Sequence, residues 1–459
     1  MKIRWGKEHG VLLKALLDRL NTDGIRYFIL RNYELLPEEN SSKDVDIIFE
    51  PGKMNAVRSI MVEIFRQNSI QYFKEELFGH VHSFWGVNIQ SEFSIHIDLI
   101  EGYYAQGYSV FSFDEMYSHV IAYKSFYVLD ELFSGIMLFV YKQFGYKKPK
   151  LKDEYKREIV AVYQKFKLEF HSILAKITSD DFATASCKYI ENNDFASVLE
   201  NSGTLNKYLR RYVWKKKPIS TIWHVTEFTM QRLDRMIFRY RKYSCNFAVL
   251  APDGTGKTTF LDTLIDKLNY YRVCRMEDNH ISVYHFRPNI LPNLGAVGEK
   301  AGLKKQDTNF SDPHRNKPAG TVSSLVRISY YTLDYILGWH IRVRKDTKQN
   351  KWSIFDRYSY DLIVDPLRTR LSLPISVRNF FVALTPKPEI VFCLMTDAKT
   401  VYARKQELKP DEIERQLFVY RNIAQKDRRR FSILDASKTP DEIANDALRV
   451  LFDRYMEKL

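Results

Sequence analysis

Apolar and polar positions follow two different periodicities along the chain, and they predict where helices and strands lie. Apolar residues between positions 11 and 20 recur at helical spacing, and Asp23-Gly24 ends the pattern, which predicts a first helix. Short apolar runs at residues 27–30, 44–49 and 93–99 predict three strands. The N-terminal part is therefore expected to form an α+β domain.

The C-terminal part has longer and more continuous apolar runs. Residues 247–251, 352–355 and 389–395 each have the length of a buried strand, and a helical pattern over 260–268 follows the first run. Continuous apolar strands are typical of a parallel sheet that is covered on both faces. The sequence thus predicts an α/β domain in which a parallel sheet is flanked by helices.

A basic segment separates these two parts. Between Lys207 and Lys242 there are eleven basic residues and two acidic ones, and from about residue 221 to residue 240 the apolar positions have helical spacing. We predict an amphipathic helix whose apolar face packs on the protein and whose basic face is solvated. Binding of RNA, DNA or an anionic lipid surface by this segment is the alternative interpretation.

The length of 459 residues suggests about three domains. The patterns divide the chain into an α+β domain at 1–110, a helical extension at 111–206, a basic amphipathic connector at 207–244 and an α/β domain at 245–459. These boundaries are predictions from pattern alone.

Composition excludes several classes of protein. With 45% hydrophobic residues the chain is not expected to be disordered or fibrous, and no apolar stretch reaches the roughly 20 residues of a membrane span. The N-terminus lacks a secretory signal pattern, and the four cysteines are far apart, so a soluble cytoplasmic protein is expected. The net charge of +14 is compatible with nucleic acid, an anionic membrane or phosphorylated small molecules.

The clearest chemical motif follows the predicted strand at 247–251. Glycines in such a loop let consecutive backbone N–H groups point inward at phosphates, and the start of a helix adds its positive dipole end. Lys257 is expected to reach the β- and γ-phosphates of ATP, and the Thr258 hydroxyl to ligate Mg²⁺. The first consensus glycine is replaced by Ala251. The residues predicted to bind the nucleotide are Asp253, Gly254, Thr255, Gly256, Lys257, Thr258 and Thr259.

Further candidates follow the next two predicted strands. Asp356, at the end of one strand, is placed to hold the magnesium shell, and the adjacent Arg357 to bind an acceptor phosphate. Arg404 lies on the helix after the last strand and is expected to neutralise charge on the transferring phosphoryl group. Asp253 would avoid the triphosphate by facing the second substrate or a sugar hydroxyl. Lys257, Asp356, Arg357 and Arg404 are the predicted catalytic residues.

The phosphate loop, the Asp356-Arg357-Tyr358 triplet, the strand and basic helix after Pro388, and the segment from Leu434 to Ser437 together resemble thymidylate kinase and its close relatives. The resemblance covers about residues 245–459. It implies a P-loop kinase that transfers the ATP γ-phosphate to a nucleoside monophosphate, and a homodimer. It also implies that Lys257 and Thr258 bind ATP and Mg²⁺, Asp356 belongs to the metal site, Arg287 and Arg357 hold the acceptor phosphate, and Arg404 belongs to a lid.

The sequence departs from the family pattern on the acceptor side. After Arg287-Pro288 the usual glycine pair is replaced by a longer segment, and a basic insert follows at residues 298–321. The residues after Tyr358 also differ from the pattern with which the family recognises thymine. Similar kinase-like chains occur among bacterial proteins. The predicted acceptor is therefore a nucleotide or a related phosphorylated small molecule.

Carboxylates also cluster in the N-terminal part. Asp44 and Asp46 share a strand face, and Asp98 lies in another predicted strand, so the three could hold Mg²⁺. This pattern resembles a minimal nucleotidyltransferase fold over about residues 10–110. Arg31-Asn32 stands where that family has Gly-Ser, so inactive surface carboxylates are the alternative. No zinc site is predicted from His80, His82 and His96, because a fourth ligand is lacking.

Three hypotheses follow from these motifs. In the first, the C-terminal domain is a kinase and the N-terminal domain acts on or recognises the same metabolite. In the second, the protein is a nucleotidyltransferase whose P-loop domain senses ATP. In the third, ATP switches a binding protein whose basic connector holds nucleic acid or an anionic membrane. The kinase is favoured, because Arg287, Arg357 and Arg404 accompany the loop and a sensor needs no acceptor site.

Overall fold

The computed structural model describes residues 5–42, 44–77, 80–146, 148–237, 245–271, 281–292, 318–349 and 351–455. The chain forms two compact units, and the boundary between them lies between Met236 and Ile237. They are called the N-terminal unit and the C-terminal unit below.

The N-terminal unit contains a mixed sheet of seven strands in the order β3-β4-β5-β2-β1-β7-β6. Its strands are β1 Tyr27–Ile29, β2 Val45–Phe49, β3 Gln71–Leu77, β4 Val81–Asn88, β5 Phe93–Glu101, β6 Val120–Tyr123 and β7 Phe126–Leu129. Its helices are α1 Lys7–Thr22, α2 Met54–Gln67, α3 Phe113–Tyr117, α4 Glu131–Tyr141, α5 Asp153–Lys165, α6 Lys167–Ile177, α7 Asp180–Glu191, α8 Phe195–Glu200, α9 Ser202–Lys216 and α10 Pro218–Ile237.

Alternation along β2 separates the two sides of this sheet. Val45, Ile47 and Phe49 pack with α1 and α2 in one core, whereas Ile48 belongs to the core formed with the helices from α3 to α9. Asp46 lies on the same face as Ile48, because side chains two residues apart share a face. The Asp46 carboxylate therefore faces the side of the sheet that is covered by the helices from α3 to α9.

The three predicted N-terminal strands and the first helix are confirmed. The sheet also continues beyond residue 110, because β6 and β7 form a hairpin and β7 pairs in parallel with β1. The segment predicted as a helical extension thus contributes the short helix α3 and two strands before its longer helices begin at α4.

The predicted helix of the connector is present as α10, which begins three residues earlier than expected. The prediction that its apolar face packs on the protein is wrong for much of that face. Ile219, Trp223 and Met230 are exposed, while the buried side of the helix carries Thr221. Residues 238–244 of the connector lie outside the described part of the chain.

The C-terminal unit is built on a parallel sheet of five strands in the order β12-β11-β8-β10-β9. Its strands are β8 Asn246–Leu250, β9 Ile281–His285, β10 Trp352–Asp356, β11 Ile390–Met395 and β12 Phe431–Asp435. Its helical segments are α11 Lys257–Tyr271, α12 Thr321–Gly338, a π-helix Trp339–Val343, α13 Arg344–Lys348, α14 Asp361–Val364, α15 Ile375–Leu384, α16 Ala398–Arg404, α17 Pro410–Lys426 and α18 Pro440–Tyr455.

This arrangement confirms the predicted α/β fold with a parallel sheet flanked by helices. The central strand β8 has β10 on one side and β11 on the other, so the strand order reverses there. In open parallel sheets, ligands bind at the carboxyl ends of the strands on either side of such a reversal. Within the described ranges, no helix has both the length and the apolar character needed to cross a membrane.

Candidate functional site

The phosphate loop lies at this reversal point, between β8 and α11. Gly254 and Gly256 have φ angles of 87° and 95°, a region that favours glycine. A Cβ added to Gly254 would lie 3.0 Å from the Lys405 Cβ and 3.1 Å from the Val401 carbonyl oxygen. Backbone conformation and close packing therefore both require glycine at position 254.

Lys257 is the first residue of α11, and its ammonium donates to Asp356 Oδ1 at the end of β10. The other oxygen, Asp356 Oδ2, lies 3.1 Å from His285 Nδ1 at the end of β9. Burial, with a smaller effect of the Arg357 guanidinium, lowers the pKa of Lys257 to about 7. The nearby carboxylate of Asp356 favours the charged ammonium, and nucleotide phosphates in the loop would do the same. Thr258 and Thr259 follow in the first turn and are exposed.

Arg357 lies beneath the loop and is buried. Its Nη1 donates to Asp361 Oδ2 at 2.7 Å and to the Ala251 carbonyl oxygen at 3.2 Å, and its Nη2 donates to Asp253 Oδ1. Burial opposes the charge, but Asp361 and Asp253 together raise the pKa of Arg357 above its usual value. The hydroxyl of Tyr420 donates to Asp361 Oδ1 at 2.7 Å. The arginine thus connects the Asp356-Arg357-Tyr358 triplet with the phosphate loop.

Arg368 was missed by the sequence analysis. Its Nη2 donates to Asp253 Oδ2 at 2.6 Å, and its Nε lies 3.6 Å from Asp365 Oδ2. Its side chain is 22% exposed, compared with 7% for Arg357. Asp253 is consequently held between two guanidinium groups. Only the nearness of Arg368 to the triplet along the chain could have indicated its place.

Arg287, predicted to bind the acceptor phosphate, lies in a buried cluster after β9. Its Nη1 donates to Asp334 Oδ2 at 3.2 Å, and its guanidinium lies 5.2 Å from the centre of the Tyr331 ring. Asp334 also accepts from the backbone N–H groups of Asn289 and Leu291, at 3.1 and 2.6 Å. In this arrangement Arg287 stabilises the turn that follows β9. Of the basic insert at 298–321, residues 298–317 lie outside the described residues.

Arg404, predicted to belong to a lid, ends α16. Its Nη1 donates to the Thr255 carbonyl oxygen at 3.3 Å and to the Ala436 carbonyl oxygen at 3.0 Å. It therefore connects the phosphate loop with the turn after β12. The fold brings several predicted site residues to one end of the sheet. They are Lys257, Asp356, Arg357 and Asp253, and Arg404 contacts the phosphate loop at the same end.

The three N-terminal carboxylates also come together. Ligand oxygens of Asp44, Asp46 and Asp98 all lie within 4.8 Å of one another, and Asp46 pairs directly with Asp98 across the parallel strands β2 and β5. Burial, and then the neighbouring Asp44, raise the pKa of Asp46 to about 6. Such a group of oxygen ligands fits Mg²⁺, because a divalent cation would offset the repulsion among the carboxylates.

Basic groups surround these carboxylates. Arg31 Nε lies 3.3 Å from Asp46 Oδ2, and His96 Nε2 lies 3.0 Å from Asp98 Oδ1. Burial, with a smaller effect of Arg31, lowers the pKa of Lys142 to about 8. Lys142 follows α4 and was missed by the sequence analysis. Arg31 thus places a positive charge just after β1. The nucleotidyltransferase pattern has a small Gly-Ser pair at this position.

The histidines do not form a zinc site among the described residues, where the carboxylate trio is the one cluster with metal-binding geometry. Ser83 is paired with Asp98 in the sheet, so its neighbour His82 points to the other face.

No protein-family model matches the chain, and no curated protein matches it. Among solved structures, the chain is similar to thymidylate kinase from Ehrlichia chaffeensis, with 15% sequence identity and a TM-score of 0.31, over 45% of this chain and 98% of that chain. The C-terminal unit, a parallel sheet flanked by helices with a phosphate loop at its centre, has an architecture consistent with a P-loop kinase fold.

Proposed function

We propose that the C-terminal unit is an ATP- and Mg²⁺-dependent phosphotransferase of the nucleoside monophosphate kinase type. The observation that supports it best is the contact between Lys257, at the start of α11, and Asp356, at the end of the neighbouring strand β10. In a P-loop kinase these two positions lie on either side of the nucleotide phosphates and the metal.

The residues of the loop have separate tasks in this proposal. Backbone N–H groups between Gly254 and Lys257 bind the phosphates, and the Lys257 ammonium exchanges Asp356 for β- and γ-phosphate oxygens. Thr258 and Asp356 hold Mg²⁺, which neutralises charge on the phosphates when it is bound. Arg404 keeps the loop in place through the Thr255 carbonyl oxygen.

The acceptor is proposed to carry a phosphate group. Arg357 and Arg368 both contact Asp253, so two cations and one carboxylate lie together beside the loop. A phosphate of the acceptor would bind the guanidinium groups, and a hydroxyl of the acceptor would donate to Asp253. A nucleoside monophosphate or a sugar phosphate has both groups.

The test uses the full-length protein with Mg²⁺ and ATP. ATP turnover is measured with panels of nucleoside monophosphates and of sugar phosphates. We expect at least one acceptor to stimulate turnover, and Lys257→Ala to abolish the stimulation because the phosphate-binding cation is lost. Lys267→Ala is the matched control, since Lys267 lies on the same helix but pairs with Asp441.

Two outcomes would contradict the kinase. One is that no acceptor stimulates turnover above the rate of Lys257→Ala. The other is that Lys257→Ala and Lys267→Ala lose activity equally, which would point to damage of α11 rather than of a phosphate site.

A second candidate function is metal-dependent nucleotidyl transfer in the N-terminal unit, in which case the P-loop would sense ATP. It is favoured by the close approach of Asp44, Asp46 and Asp98. An acceptor hydroxyl would attack the α-phosphate of a nucleoside triphosphate and pyrophosphate would leave, with the carboxylates holding Mg²⁺. Arg31, which contacts Asp46, and Lys142, whose pKa responds to Asp46 and Asp44, are the cations proposed to receive the triphosphate.

This second candidate is tested with labelled nucleoside triphosphates. Release of pyrophosphate should persist in Lys257→Ala and should disappear when Asp44→Ala is combined with Asp46→Ala. Asp114→Ala, a change of an exposed carboxylate in the same unit, is the control and should keep the activity. Pyrophosphate release by the double variant at the wild-type rate would remove these carboxylates from the mechanism.

A further inference from the structure

His285 is the last residue of β9, and the proposed kinase mechanism gives it no task. It pairs directly with Asp356 across the parallel strands β9 and β10. The backbone fixes the two strand ends, since the Phe286 N–H donates to the Asp356 carbonyl oxygen at 2.8 Å. The side chains of the pair also meet, because His285 Nδ1 lies 3.1 Å from Asp356 Oδ2.

The imidazole of His285 takes little part in packing. Its side chain is 80% exposed, compared with 19% for that of Asp356. An ion pair or hydrogen bond with such an exposed partner contributes little to the stability of the fold. The contact of the ring with Asp356 is therefore better explained by the chemistry of the site than by folding.

Asp356 has two donors, and they contact different oxygens. Lys257 donates to Oδ1, and His285 lies beside Oδ2. In the proposed function the Lys257 ammonium exchanges Asp356 for phosphate oxygens, so Oδ1 becomes available to Mg²⁺. The carboxylate of Asp356 and the hydroxyl of Thr258 are oxygen ligands of the kind that Mg²⁺ binds. After the exchange, His285 is the donor of this pair that still holds the carboxylate.

We propose that His285 is a positioning residue of the magnesium site. Its Nδ1–H donates to Asp356 Oδ2 and fixes the orientation of the carboxylate while Lys257 binds the phosphates. A hydrogen bond from a second side chain to a metal-binding carboxylate raises the affinity for the metal, because the ligand is oriented before the metal arrives. This inference rests on the proposed kinase function, and it adds that β9 contributes to metal affinity.

The experiment is isothermal titration calorimetry of ATP binding to the full-length protein, with and without Mg²⁺. It needs no acceptor and no turnover. We expect His285→Ala to lower the affinity for ATP in the presence of Mg²⁺ about tenfold, because the carboxylate is no longer oriented. The affinity without Mg²⁺ should stay the same, since the lost contact involves Asp356 and not the phosphate loop.

Two further variants separate positioning from a general effect on structure. His285→Asn keeps a donor, because the asparagine Nδ2 is as many bonds from the backbone as the histidine Nδ1, and it should restore most of the affinity with Mg²⁺. His340→Ala is the matched control. His340 is an exposed histidine of the same unit, on the π-helix, and its change should leave both affinities intact. The melting temperature of each variant, measured without ligands, shows that the fold is kept.

Failure of this inference and failure of the kinase give different results. If His285→Ala binds ATP with Mg²⁺ as tightly as the wild type, His285 does not position the site, and the kinase still stands. Equal losses with and without Mg²⁺, or no recovery in His285→Asn, would also overturn the positioning role. If Lys257→Ala binds ATP as the wild type does, the phosphate site is wrong, and the inference falls with the kinase.

Discussion

At the scale of single residues, the buried contacts of Arg357 are the most consequential feature of the C-terminal unit. Its guanidinium is shared between Asp253 and Asp361, and Asp361 in turn accepts from Tyr420. Taking such charges out of water is costly, and they are tolerated only while each has its partner. The same contacts that shape the proposed acceptor site should therefore also contribute to folding.

Replacing Arg357 should test this dual role. Arg357→Ala would leave Asp361 buried without its cation and should lower the free energy of unfolding by about 3–5 kcal/mol. Urea denaturation measures this change. Arg449→Ala, which breaks an exposed pair with Asp446, should cost less than about 1 kcal/mol. Comparable losses in the two variants would mean that the Arg357 contacts do not hold the unit together.

A lysine of the same unit predicts a pH dependence. Lys387 is half-buried, its ammonium donates to the Val382 carbonyl oxygen and to Thr385 Oγ1, and burial lowers its pKa to about 8. Below pH 8 both the folded and the unfolded protein hold the proton. Between about pH 8 and pH 10 the unfolded protein still holds it and the folded protein releases it, so this residue makes stability rise with pH.

Lys387→Met removes the titrating group. We expect the variant to be more stable than the wild type at pH 7, and the difference in free energy of unfolding to shrink as the pH rises above 8. Denaturation of both proteins at several pH values measures the difference. A difference that stays constant from pH 7 to pH 10 would show that Lys387 has an ordinary pKa.

At the scale of helices and strands, the sequence was most informative where the relevant pattern is local. The phosphate loop was predictable because strand, glycines and helix follow one another, and the shared face of Asp44 and Asp46 was predictable because strand side chains alternate between faces. The contact between Arg368 and Asp253 was not predictable, since it joins segments far apart in the sequence and no motif marks it.

Two further differences between the prediction and the structure have the same origin. The hairpin of β6 and β7 returns to the sheet beside β1, and short strands of this kind carry no signal for the edge they will join. Helix α10 shows that periodicity can locate an apolar stripe without showing what covers it. Tertiary contacts decide both which strand a hairpin pairs with and which residues cover an apolar stripe.

Packing between α4 and α5 provides a prediction at this scale. A Cβ added to Gly135 in α4 would lie 2.6 Å from Val162 Cγ1 in α5, so the helices approach closely there. Gly135→Ala should destabilise the protein by about 1–3 kcal/mol through overpacking, although alanine favours helix. Gly203→Ala in α9, where nothing lies within 4 Å, should be neutral or stabilising by up to about 1 kcal/mol.

Thermal or urea denaturation of these two glycine variants separates packing from helix propensity. If both changes stabilise the protein, the helices do not meet as closely as described. If both destabilise it, the backbone at each glycine would need a conformation that alanine avoids.

At the scale of the whole molecule, the homodimer that we expect from the sequence stays a prediction. Two helices of the C-terminal unit, α12 and α15, expose large apolar side chains that a second copy could cover. The exposed residues are Val322, Leu325, Val326 and Leu333 on α12 and Ile375, Phe380 and Leu384 on α15.

Sedimentation equilibrium measures the assembly. We expect a dimer that Val326→Asp converts to a monomer, because a charge in an apolar interface is costly. Leu168→Asp, at an even more exposed apolar residue of the N-terminal unit, should leave the dimer intact. A monomeric wild type, or a dimer that survives Val326→Asp, would contradict an interface on α12.

The central position of β8 in its sheet also affects how the chain folds as it emerges from the ribosome. In the N-terminal unit, β4 meets β5 across a turn of a few residues, so their pairing can form early. Phe247 of β8 pairs with Ile354 and Ile390, more than a hundred residues further along the chain. Contacts of such separation form slowly because loop closure costs entropy. We therefore expect β8 to remain an unpaired apolar segment of the nascent chain and to need protection by chaperones, at a stage when all strands of the N-terminal unit have already been synthesised.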